Sequence, residues 1–518
     1  MSLLTWVIRK AVQRRLRQVE AALRNPSATQ ERLLLSFVRR ARDTEWGRAH
    51  DYRLIRSVRD FQRAVPINGY EDLAPLWHRA FDGARDVTWP GHIKYFALSS
   101  GTTTATTKAL PVSREAIRAN LRSGMTALGL CERQVAGGCL AGGRMLYLGG
   151  ATRLERRGAC WQGDASGINA ARLPRFALRY RLPPPDVATL TDWEARVDAI
   201  CHRCLDSPVR GVVGLPSWTL ILFRRLIDVA RERGRSAATV SDVWPGLRVF
   251  IHFGMSFEPY RRQFDELVGR PVATIDTYSS SEGGLNAVQS DQADRSMQLD
   301  VDTGAFFEFI PAREFERPDA PRLTLDQVEA GADYAVLVSS PSGIWAYDVG
   351  DVVRFTSLHP PKLLVVGRTK LALNTFGEHV IQENLEQALL DACRPLGTMV
   401  SEFTVASVPP TAADPRGRHL WLVEFDGPPP SLDAFGARLD TSLTDKSLDY
   451  RHHRARDYGM LAPLVVPLES GTFYEWARRQ GALGGQHKVP RVARSQQMVD
   501  ELRELSRALA RSRQSEPQ

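Results

Sequence analysis

The sequence predicts an α/β protein with more than one domain, and three observations lead to that prediction. Short runs rich in β-branched and aromatic residues alternate with stretches of helical periodicity, which is typical of strands and helices packed in layers. The chain has 518 residues, more than one compact domain usually contains. Apolar residues make up 43% of the chain and charged residues 25%, which is ordinary for a globular protein. The β-rich runs are residues 94–98, 145–148, 247–253, 272–277, 334–338 and 362–366, and the helical stretches are residues 113–124, 193–205, 218–233 and 380–392.

The N-terminal region is predicted to be helical. Two helices are expected between Trp6 and Arg42, and the sequence Ser27-Ala28-Thr29-Gln30 predicts a capping box at the start of the second. We expect the basic first helix to pack on the main body of the protein and not on a membrane surface.

A domain boundary is predicted at Gly367-Arg368. A β-rich run ends there, and the following segment leads into a new helical stretch. Residues 1–367 would form an N-terminal domain that includes a helical segment at residues 1–65. Residues 368–518 are enough for a small C-terminal α/β domain.

The charge pattern argues against a nucleic-acid partner. Lysine and arginine number 68 against 59 acidic residues, so the net charge is +9. The arginines are scattered and interleaved with acids, which is typical of a solvated surface and not of a basic binding patch. Only seven of the 68 basic residues are lysines, so the position of each lysine is informative.

Cysteine usage and hydropathy predict a cytoplasmic protein. The six cysteines show no regular spacing of the kind found in disulfide-stapled secreted folds. The apolar stretch from Leu3 to Ile8 is too short for a signal peptide, and no segment approaches 18 uninterrupted apolar residues. We therefore expect no membrane insertion.

The first informative motif follows the β run that ends near Leu98. A hydroxyl-rich turn leads to a lysine, and a helix is expected after Val112. Backbone N–H groups and hydroxyls in such a turn bind phosphate oxygens, and a lysine supplies a point charge. A Ser/Thr-rich surface loop is the alternative interpretation. The candidate phosphate ligands are Ser99, Ser100, Gly101, Thr102, Thr103 and Lys108.

This loop resembles the phosphate-binding loop of the adenylate-forming superfamily, and most closely that of the Gretchen Hagen (auxin-responsive) family of acyl-acid amido synthetases. The family pattern is Ser-Ser-Gly-Thr-Ser-Gly-Gly, two variable residues, Lys, two more and Pro. The spacing from Ser99 through Lys108 to Pro111 matches it without a gap. Thr103 replaces the family's serine, and Thr104 and Ala105 replace two glycines, which restricts the backbone of the loop.

A second segment carries further elements that look like those of the family, in the same order. They are Trp244-Pro245, Gly254-Met255 and the run from Tyr278 to Glu282. Tyr278 offers a flat face for an adenine ring. Ser280 and Ser281 offer phosphate hydrogen bonds, and Glu282 is a hard oxygen ligand suited to Mg²⁺. Met255 either lines the acyl pocket or belongs to the core.

A third segment, from Tyr347 to Phe355, resembles the family's Tyr-Arg-x-Gly-Asp-Val-Val element. An aspartate after a tight glycine turn accepts hydrogen bonds from vicinal ribose hydroxyls, and we assign that role to Asp351. Asp348 stands where the family usually has arginine. The resemblance also places Arg368 near the ribose or phosphate, at the start of the hinge.

The last segment, from Gly485 to Arg491, is similar to the family's Gln-Tyr-Lys-Thr-Pro-Arg. It implies that Lys488 is the catalytic lysine of adenylation, while His487 replaces the tyrosine. When a carboxylate attacks the α-phosphate, two anions are joined and more charge builds up as pyrophosphate leaves. A positioned ammonium lowers that barrier electrostatically.

The resemblance covers the chain from about Val65 to Arg491 and implies a fold and a reaction. The fold would be that of adenylate-forming enzymes, with a large N-terminal domain of a β-barrel and two helix-flanked β-sheets and a small mobile C-terminal domain. ATP and Mg²⁺ would activate a carboxylic acid as an acyl-adenylate. An amine, expected to be an amino acid, would then displace AMP to give an amide. We expect a monomer or a weak homo-oligomer.

Two alternatives stay open from the sequence. An acyl-coenzyme A ligase shares the first half-reaction and differs only in its nucleophile. A non-catalytic nucleotide- or nucleic-acid-binding protein would fit the basic balance and the altered phosphate loop. The acid itself leaves no local signature, because acyl pockets are built from scattered apolar side chains.

Overall fold

The computed structural model describes residues 3–100, 107–139, 143–174, 177–317, 319–369, 373, 378, 380–408, 416–454, 460–484, 488–493 and 495–515, with only the backbone at residues 3–5, 99, 100, 107, 514 and 515. The chain splits into two compact units. The first comprises residues 1–254 and 267–365, and the second comprises residues 255–266 and 366–518. The predicted division at residue 367 stays a prediction.

Helices occur in both units. They are α1 (Leu3–Ala22), α2 (Pro26–Ala41), α3 (Glu45–Ala49), α4 (Val58–Ala64), α5 (Tyr70–Phe81), α6 (Arg114–Gln134), α7 (Ala165–Ala171), α8 (Pro185–Ala188), α9 (Trp193–Cys204), α10 (Pro216–Glu232), α11 (Val240–Val243), α12 (Arg261–Val268), α13 (Gln382–Leu396), α14 (Leu432–Lys446), α15 (Leu448–Arg454), α16 (Thr472–Arg479) and α17 (Gln496–Ser515). No helix among the described residues is long and apolar enough to cross a membrane.

Strands alternate with these helices, so the predicted α/β class is confirmed. They are β1 (Tyr95–Ser100), β2 (Thr107–Val112), β3 (Arg144–Leu148), β4 (Glu155–Arg157), β5 (Cys160–Gly163), β6 (Arg181–Leu182), β7 (Val209–Gly214), β8 (Val249–Phe253), β9 (Ala273–Ser280), β10 (Gly284–Asp291), β11 (Asp294–Leu299), β12 (Phe306–Pro311), β13 (Asp333–Ser340), β14 (Ile344–Leu358), β15 (Pro361–Arg368), β16 (Val400–Val408), β17 (Arg418–Phe425) and β18 (Leu464–Leu468).

The strands of the described residues form three sheets. A four-stranded sheet has the order β2-β1-β5-β4, and an eleven-stranded sheet has the order β12-β13-β14-β15-β11-β10-β9-β8-β7-β3-β6. The second unit contains the three-stranded sheet β16-β17-β18. The expected partition of the N-terminal domain into a barrel and two sheets stays a prediction.

Part of the large sheet is parallel, and this part determines where functional loops lie. Strands β6, β3, β7, β8 and β9 pair in parallel, each with its neighbour. Parallel strands need long crossovers, which here contain α9 and α10 before and after β7. The carboxyl ends of all five strands therefore meet at one edge, the usual place for ligand sites in such sheets.

One local prediction was wrong, and one strand was not foreseen. Helix α2 begins at Pro26 and not after Ser27, because the side chain of Asn25 accepts a hydrogen bond from the backbone N–H of Ala28 and so provides the N-cap. The segment between the phosphate loop and Val112 is a strand, β2, which pairs antiparallel with β1 and sets Lys108 opposite Ser99. The pairing partner, and not the local pattern, makes this segment a strand.

The predicted packing of the first helix on the main body is confirmed. Val12 and Leu16 of α1 join a buried cluster with Leu130 and Cys131 of α6. Gly129 permits the approach, since a Cβ there would lie 2.8 Å from Leu16 Cγ. This packing also explains why α6 continues to Gln134 beyond the predicted helical stretch.

Arg15 of α1 is a buried charge that ties this helix to the large sheet. Its guanidinium lies 2.5 Å from an Asp302 oxygen and 3.4 Å from an Asp300 oxygen, and its Nε donates to Thr126 Oγ1 at 3.0 Å. Arg15 is 3% exposed. Burial raises the pKa of Asp300 to about 6.

Replacement of Arg15 should therefore destabilise the protein strongly. Arg15→Met removes the guanidinium that pairs with the buried Asp300 and the partly buried Asp302, and we expect a loss of about 3–5 kcal/mol in the free energy of unfolding. The loss should be smaller below the pKa of Asp300, because a protonated carboxyl needs no counter-charge. Urea unfolding at two pH values tests this, with the exposed Arg17→Met of the same helix as control. Equal midpoints for the two variants would contradict the prediction.

Candidate active site

The Tyr278–Glu282 motif lies at the carboxyl end of β9, on the edge where the parallel strands end. Tyr278 and Ser280 belong to β9, and residues 281–283 form the turn to β10. Ser280 Oγ accepts hydrogen bonds from the Gly283 N–H at 3.0 Å and from Asn286 Nδ2 at 3.2 Å. The Ser280 side chain thus stabilises the turn between β9 and β10.

Gly284 lets this hairpin approach α6 closely. Its φ is +85°, in the left-handed region that favours glycine. A Cβ at this position would also lie 1.9 Å from the side-chain oxygen of Asn120. Backbone conformation and space therefore both favour glycine at position 284, the second glycine after the Ser-Ser-Glu run.

The structure brings Tyr278 and Asp351 together. The Tyr278 hydroxyl donates a hydrogen bond to Asp351 Oδ2 at 3.0 Å, across 73 residues of sequence. Tyr278 is 6% exposed, so most of its ring is packed within the first unit. Two residues that the resemblance assigned to one nucleotide are thus neighbours in space.

Asp348 has a structural role where the family usually has arginine. Its Oδ1 accepts a hydrogen bond from the Gly350 N–H at 2.8 Å, and Gly350 has a φ of +77°. An aspartate that accepts from the backbone two residues later stabilises a tight turn. This turn within β14 presents Asp351.

Lys108 lies beside an aromatic cluster of the first unit. Its Nζ is 5.3 Å from the centroid of the Tyr70 ring, and the Tyr70 hydroxyl accepts from the Ala109 N–H at 3.2 Å. Tyr70 packs against Trp77, which packs against Tyr347. Burial, followed by the charge of Glu282, raises the pKa of Tyr347 well above its ordinary value. Lys108 therefore lies at the Tyr70 end of this cluster, and the charge of Glu282 acts on its Tyr347 end.

Part of the phosphate loop lies outside the described residues. Ser99 and Ser100 end β1, and only their backbone is described. Gly101, Thr102 and Thr103 lie outside the described residues, as do Thr104, Ala105 and His487. Ser281 and Glu282 are partly buried in the turn after β9.

The other candidate residues belong to the second unit. Met255 begins the segment 255–266 and is 8% exposed. Arg368 ends β15 and Lys488 precedes Pro490, and both are partly buried. Among the described residues, no three or more His, Cys, Asp or Glu side chains are grouped so as to hold a metal ion.

A buried ion network lies three residues after Lys488, and the sequence interpretation assigned it no role. Arg491 is 3% exposed. It forms an ion pair with Glu402, donates to the Tyr260 hydroxyl at 2.6 Å and has its Nε 3.5 Å from Glu386. Although burial alone would lower the pKa of Arg491, the charges of Glu402 and its neighbours raise it. In the sequence, the only indication of this network is Pro490-Arg491, the pair that ends the motif around Lys488.

Backbone pairing also holds the segment that follows Lys488. The Val405 N–H donates to the Arg491 carbonyl at 2.9 Å, and the Ala493 N–H donates to the Val405 carbonyl at 2.8 Å. Thr404 Oγ1 donates to the Pro490 carbonyl at 2.7 Å. Residues 490–493 thus pair alongside β16 through a short parallel bridge. Lys488 lies just before this anchored stretch.

Three family models match the chain. The GH3 family N-terminal domain matches residues 15–159, the GH3 family central domain residues 299–368 and the GH3 family C-terminal domain residues 383–497. A curated indole-3-acetic acid-amido synthetase, GH3.3 of Arabidopsis thaliana, is 23% identical over 92% of this chain and 91% of its own length. The jasmonoyl–L-amino acid synthetase GH3.5 of Oryza sativa subsp. japonica is 27% identical over 52% of this chain and 49% of its own.

Solved structures of adenylate-forming enzymes share this fold. The AtGH3.15 acyl acid amido synthetase in complex with 2,4-DB superposes with a TM-score of 0.78 at 18% identity, over 95% of this chain and 96% of its own. A 2-hydroxyisobutyryl-CoA ligase in the postadenylation state superposes with a TM-score of 0.56 at 17% identity, over 98% of this chain and 92% of its own. The predicted fold class is confirmed by both.

The buried network predicts a large effect of Arg491 on stability. Arg491→Met leaves Glu402 and Glu386 buried without their cation, and we expect a loss of about 3–5 kcal/mol in the free energy of unfolding. The exposed Arg438→Met, in α14 of the same unit, should change it by no more than about 0.5 kcal/mol. Urea unfolding followed by circular dichroism measures both. Similar unfolding curves for the two variants would contradict the proposed role of the network.

Proposed function

The chain belongs to the GH3 family, and we propose that it activates a carboxylic acid with ATP as an acyl-adenylate and then transfers the acyl group to an amine. The amine we propose is the α-amino group of an amino acid. The observation that carries this proposal is the hydrogen bond between Tyr278 and Asp351, because it joins two separate nucleotide motifs in one place. The family relationship supplies the reaction class.

Several side chains are proposed as nucleotide ligands. The Tyr278 ring supplies a face for adenine, and Asp351 accepts from the ribose hydroxyls. Lys108 supplies a positive charge for the phosphates, and its place opposite Ser99 in the β1–β2 pair supports this role. The remaining proposed ligands are Ser99, Ser100, Gly101, Thr102, Thr103, Ser280, Ser281 and Arg368.

We propose Glu282 as the protein ligand of Mg²⁺. It is a partly buried carboxylate in the turn at the carboxyl end of β9. Mg²⁺ in nucleotide sites is commonly held by one or two carboxylates together with phosphate oxygens and water, so a single glutamate is a fitting donor. When bound, the ion would offset the negative charge of the phosphates.

The proposed chemistry has two steps. A carboxylate oxygen attacks the α-phosphorus of ATP, the bond to the bridging oxygen breaks, and pyrophosphate leaves. The amine nitrogen then attacks the acyl carbon and loses a proton, and AMP leaves with the bonding electron pair. Lys488 would stabilise the charge of the first step, and the anchored stretch 490–493 would hold it in position.

We also propose an acyl-pocket residue, a cellular location, an oligomeric state and a domain motion. Met255 is proposed to line the acyl pocket, which its burial permits. The acid and amine are small molecules, and we propose a cytoplasmic monomer or weak homo-oligomer. The C-terminal domain is proposed to move during the reaction, as the family resemblance implies.

Pyrophosphate release identifies the reaction. With ATP and Mg²⁺, we expect release that depends on one class in a panel of aryl, indole and fatty carboxylic acids. Adding amino acids should then yield an amide, seen by mass spectrometry. A thioester formed only with coenzyme A would overturn the amide step while leaving the adenylate step intact. No release with any acid would contradict the adenylation itself.

Replacements of Lys488 and Asp351 should impair different properties, adenylation and ATP binding. Lys488→Ala should lower adenylation about 100-fold or more and leave ATP binding largely intact, because the ammonium acts on the transition state. Asp351→Ala should weaken ATP binding roughly 10- to 100-fold, because the ribose hydroxyls lose the charged carboxylate that accepts their hydrogen bonds. Calorimetry and pyrophosphate release measure the two effects.

Lys446→Ala is the matched control for the lysine. Lys446 belongs to the same unit and pairs with Asp391 at 3.0 Å on its surface, so its loss should leave adenylation unchanged. Full adenylation by Lys488→Ala would refute the assignment of that residue.

A further inference from the structure

The segment of residues 255–266 carries a buried tyrosine, Tyr260, whose hydroxyl has no assigned role in the reaction. Tyr260 is 1% exposed and ends a single 3-10 turn, Glu258–Tyr260, that leads directly into α12. The segment begins at Met255 and belongs to the second unit. Tyr260 is therefore in the same compact unit as Lys488, although the two residues are far apart in the sequence.

The turn that presents Tyr260 is held in place from two sides. The Tyr260 N–H donates to the Phe257 carbonyl at 2.9 Å, and the Phe257 ring packs edge-on against Phe264 with the centroids 5.2 Å apart. Gln263 Nε2 donates to the Val400 carbonyl, at the start of β16, at 3.3 Å. The Tyr260 backbone is thus fixed relative to β16.

The Tyr260 hydroxyl lies between a carboxylate and a guanidinium. It donates to Glu402, whose two carboxylate oxygens are 3.1 and 3.0 Å away, and it accepts from Arg491 Nη2 at 2.6 Å. A phenol hydroxyl has one hydrogen to donate and lone pairs to accept, so it can serve both partners at once. Arg491 also donates to the Phe403 carbonyl at 3.1 Å. The hydroxyl therefore helps to fix the guanidinium against β16.

Only two residues, Val489 and Pro490, separate Arg491 from Lys488. The ring of Pro490 restricts its own φ and favours an extended conformation at Val489. The Val489 side chain packs against the buried cluster that contains Leu420. A displacement of Arg491 would therefore be passed on to Lys488, because the connection has little freedom to absorb it.

We propose that Tyr260 is a positioning residue for adenylation: its hydroxyl holds Arg491, and through Arg491 it holds the Lys488 ammonium in its reactive place. This inference rests on the proposed function, in which Lys488 acts in the first step only. A charge that stabilises a transition state must be placed accurately, and a small displacement lowers the rate strongly. Loss of the hydroxyl should therefore slow adenylation and spare both ATP binding and the amide step.

Kinetics of Tyr260→Phe test the proposal, because this change keeps the ring and removes only the hydroxyl. With the acid of the aryl, indole and fatty panel that the wild type activates fastest, the kcat of pyrophosphate release should fall about 10-fold. The KM for ATP should stay unchanged. Amide formation from a chemically prepared adenylate of the same acid should proceed at the wild-type rate. An unchanged kcat of adenylation would overturn the proposal, and so would an equal loss in both steps.

Tyr450→Phe is the matched control. Tyr450 is a fully buried tyrosine of the same unit, and its hydroxyl donates to Asp440 at 2.7 Å. This variant loses a comparable buried hydrogen bond, so its Tm should fall to a similar small extent, while its adenylation should stay at the wild-type rate. If both variants lost adenylation equally, the effect would be one of stability alone and the proposal would be wrong.

Two further results keep the outcomes distinct. A wild-type protein that releases no pyrophosphate with any acid would refute the proposed function and this inference together, whereas an active wild type with an equally active Tyr260→Phe would refute the inference alone. If Tyr260→Phe does not fold, Tyr260→His replaces it, because the shorter ring does not reach Arg491. This variant should show the same loss of kcat, and an unchanged kcat would overturn the proposal.

Discussion

The parallel pairing of β6, β3, β7, β8 and β9 is the constraint on which the rest of the first unit depends. Parallel strands end on the same edge, so loops that are far apart in the sequence are gathered there. The Tyr278–Glu282 motif ends β9 and enters the turn to β10. This edge therefore carries the part of the proposed nucleotide site that contains Tyr278 and Glu282.

Two buried arginines, Arg15 and Arg491, hold separate parts of the chain together. Arg15 pairs with Asp300 and Asp302, and Arg491 pairs with Glu402 and Glu386, so each has two carboxylates. A buried guanidinium with such partners holds helices and loops in place.

The second unit depends on a short segment that is remote in the sequence. Residues 255–266 follow β8, yet they pack with residues 366–518. Tyr260 of this segment binds the Arg491 guanidinium and hydrogen-bonds Glu402. Arg491 in turn lies in the stretch that extends β16, next to Lys488. Arg491, three residues after the proposed catalytic lysine, is therefore held by contacts with three separate parts of the chain.

The sequence by itself determined the fold class, the family and several of the elements, because hydrophobic periodicity and short motifs are local properties of the chain. It also identified Tyr278 and Asp351 separately. Only the tertiary structure decided that these two residues touch, that residues 107–112 pair with β1, and that Asn25 caps α2. It alone revealed the partners of Arg491, since they come from residues 260, 386 and 402. The physical reason is that pairing and ion networks join positions far apart in sequence, and a one-dimensional pattern holds no record of which distant side chains share a site.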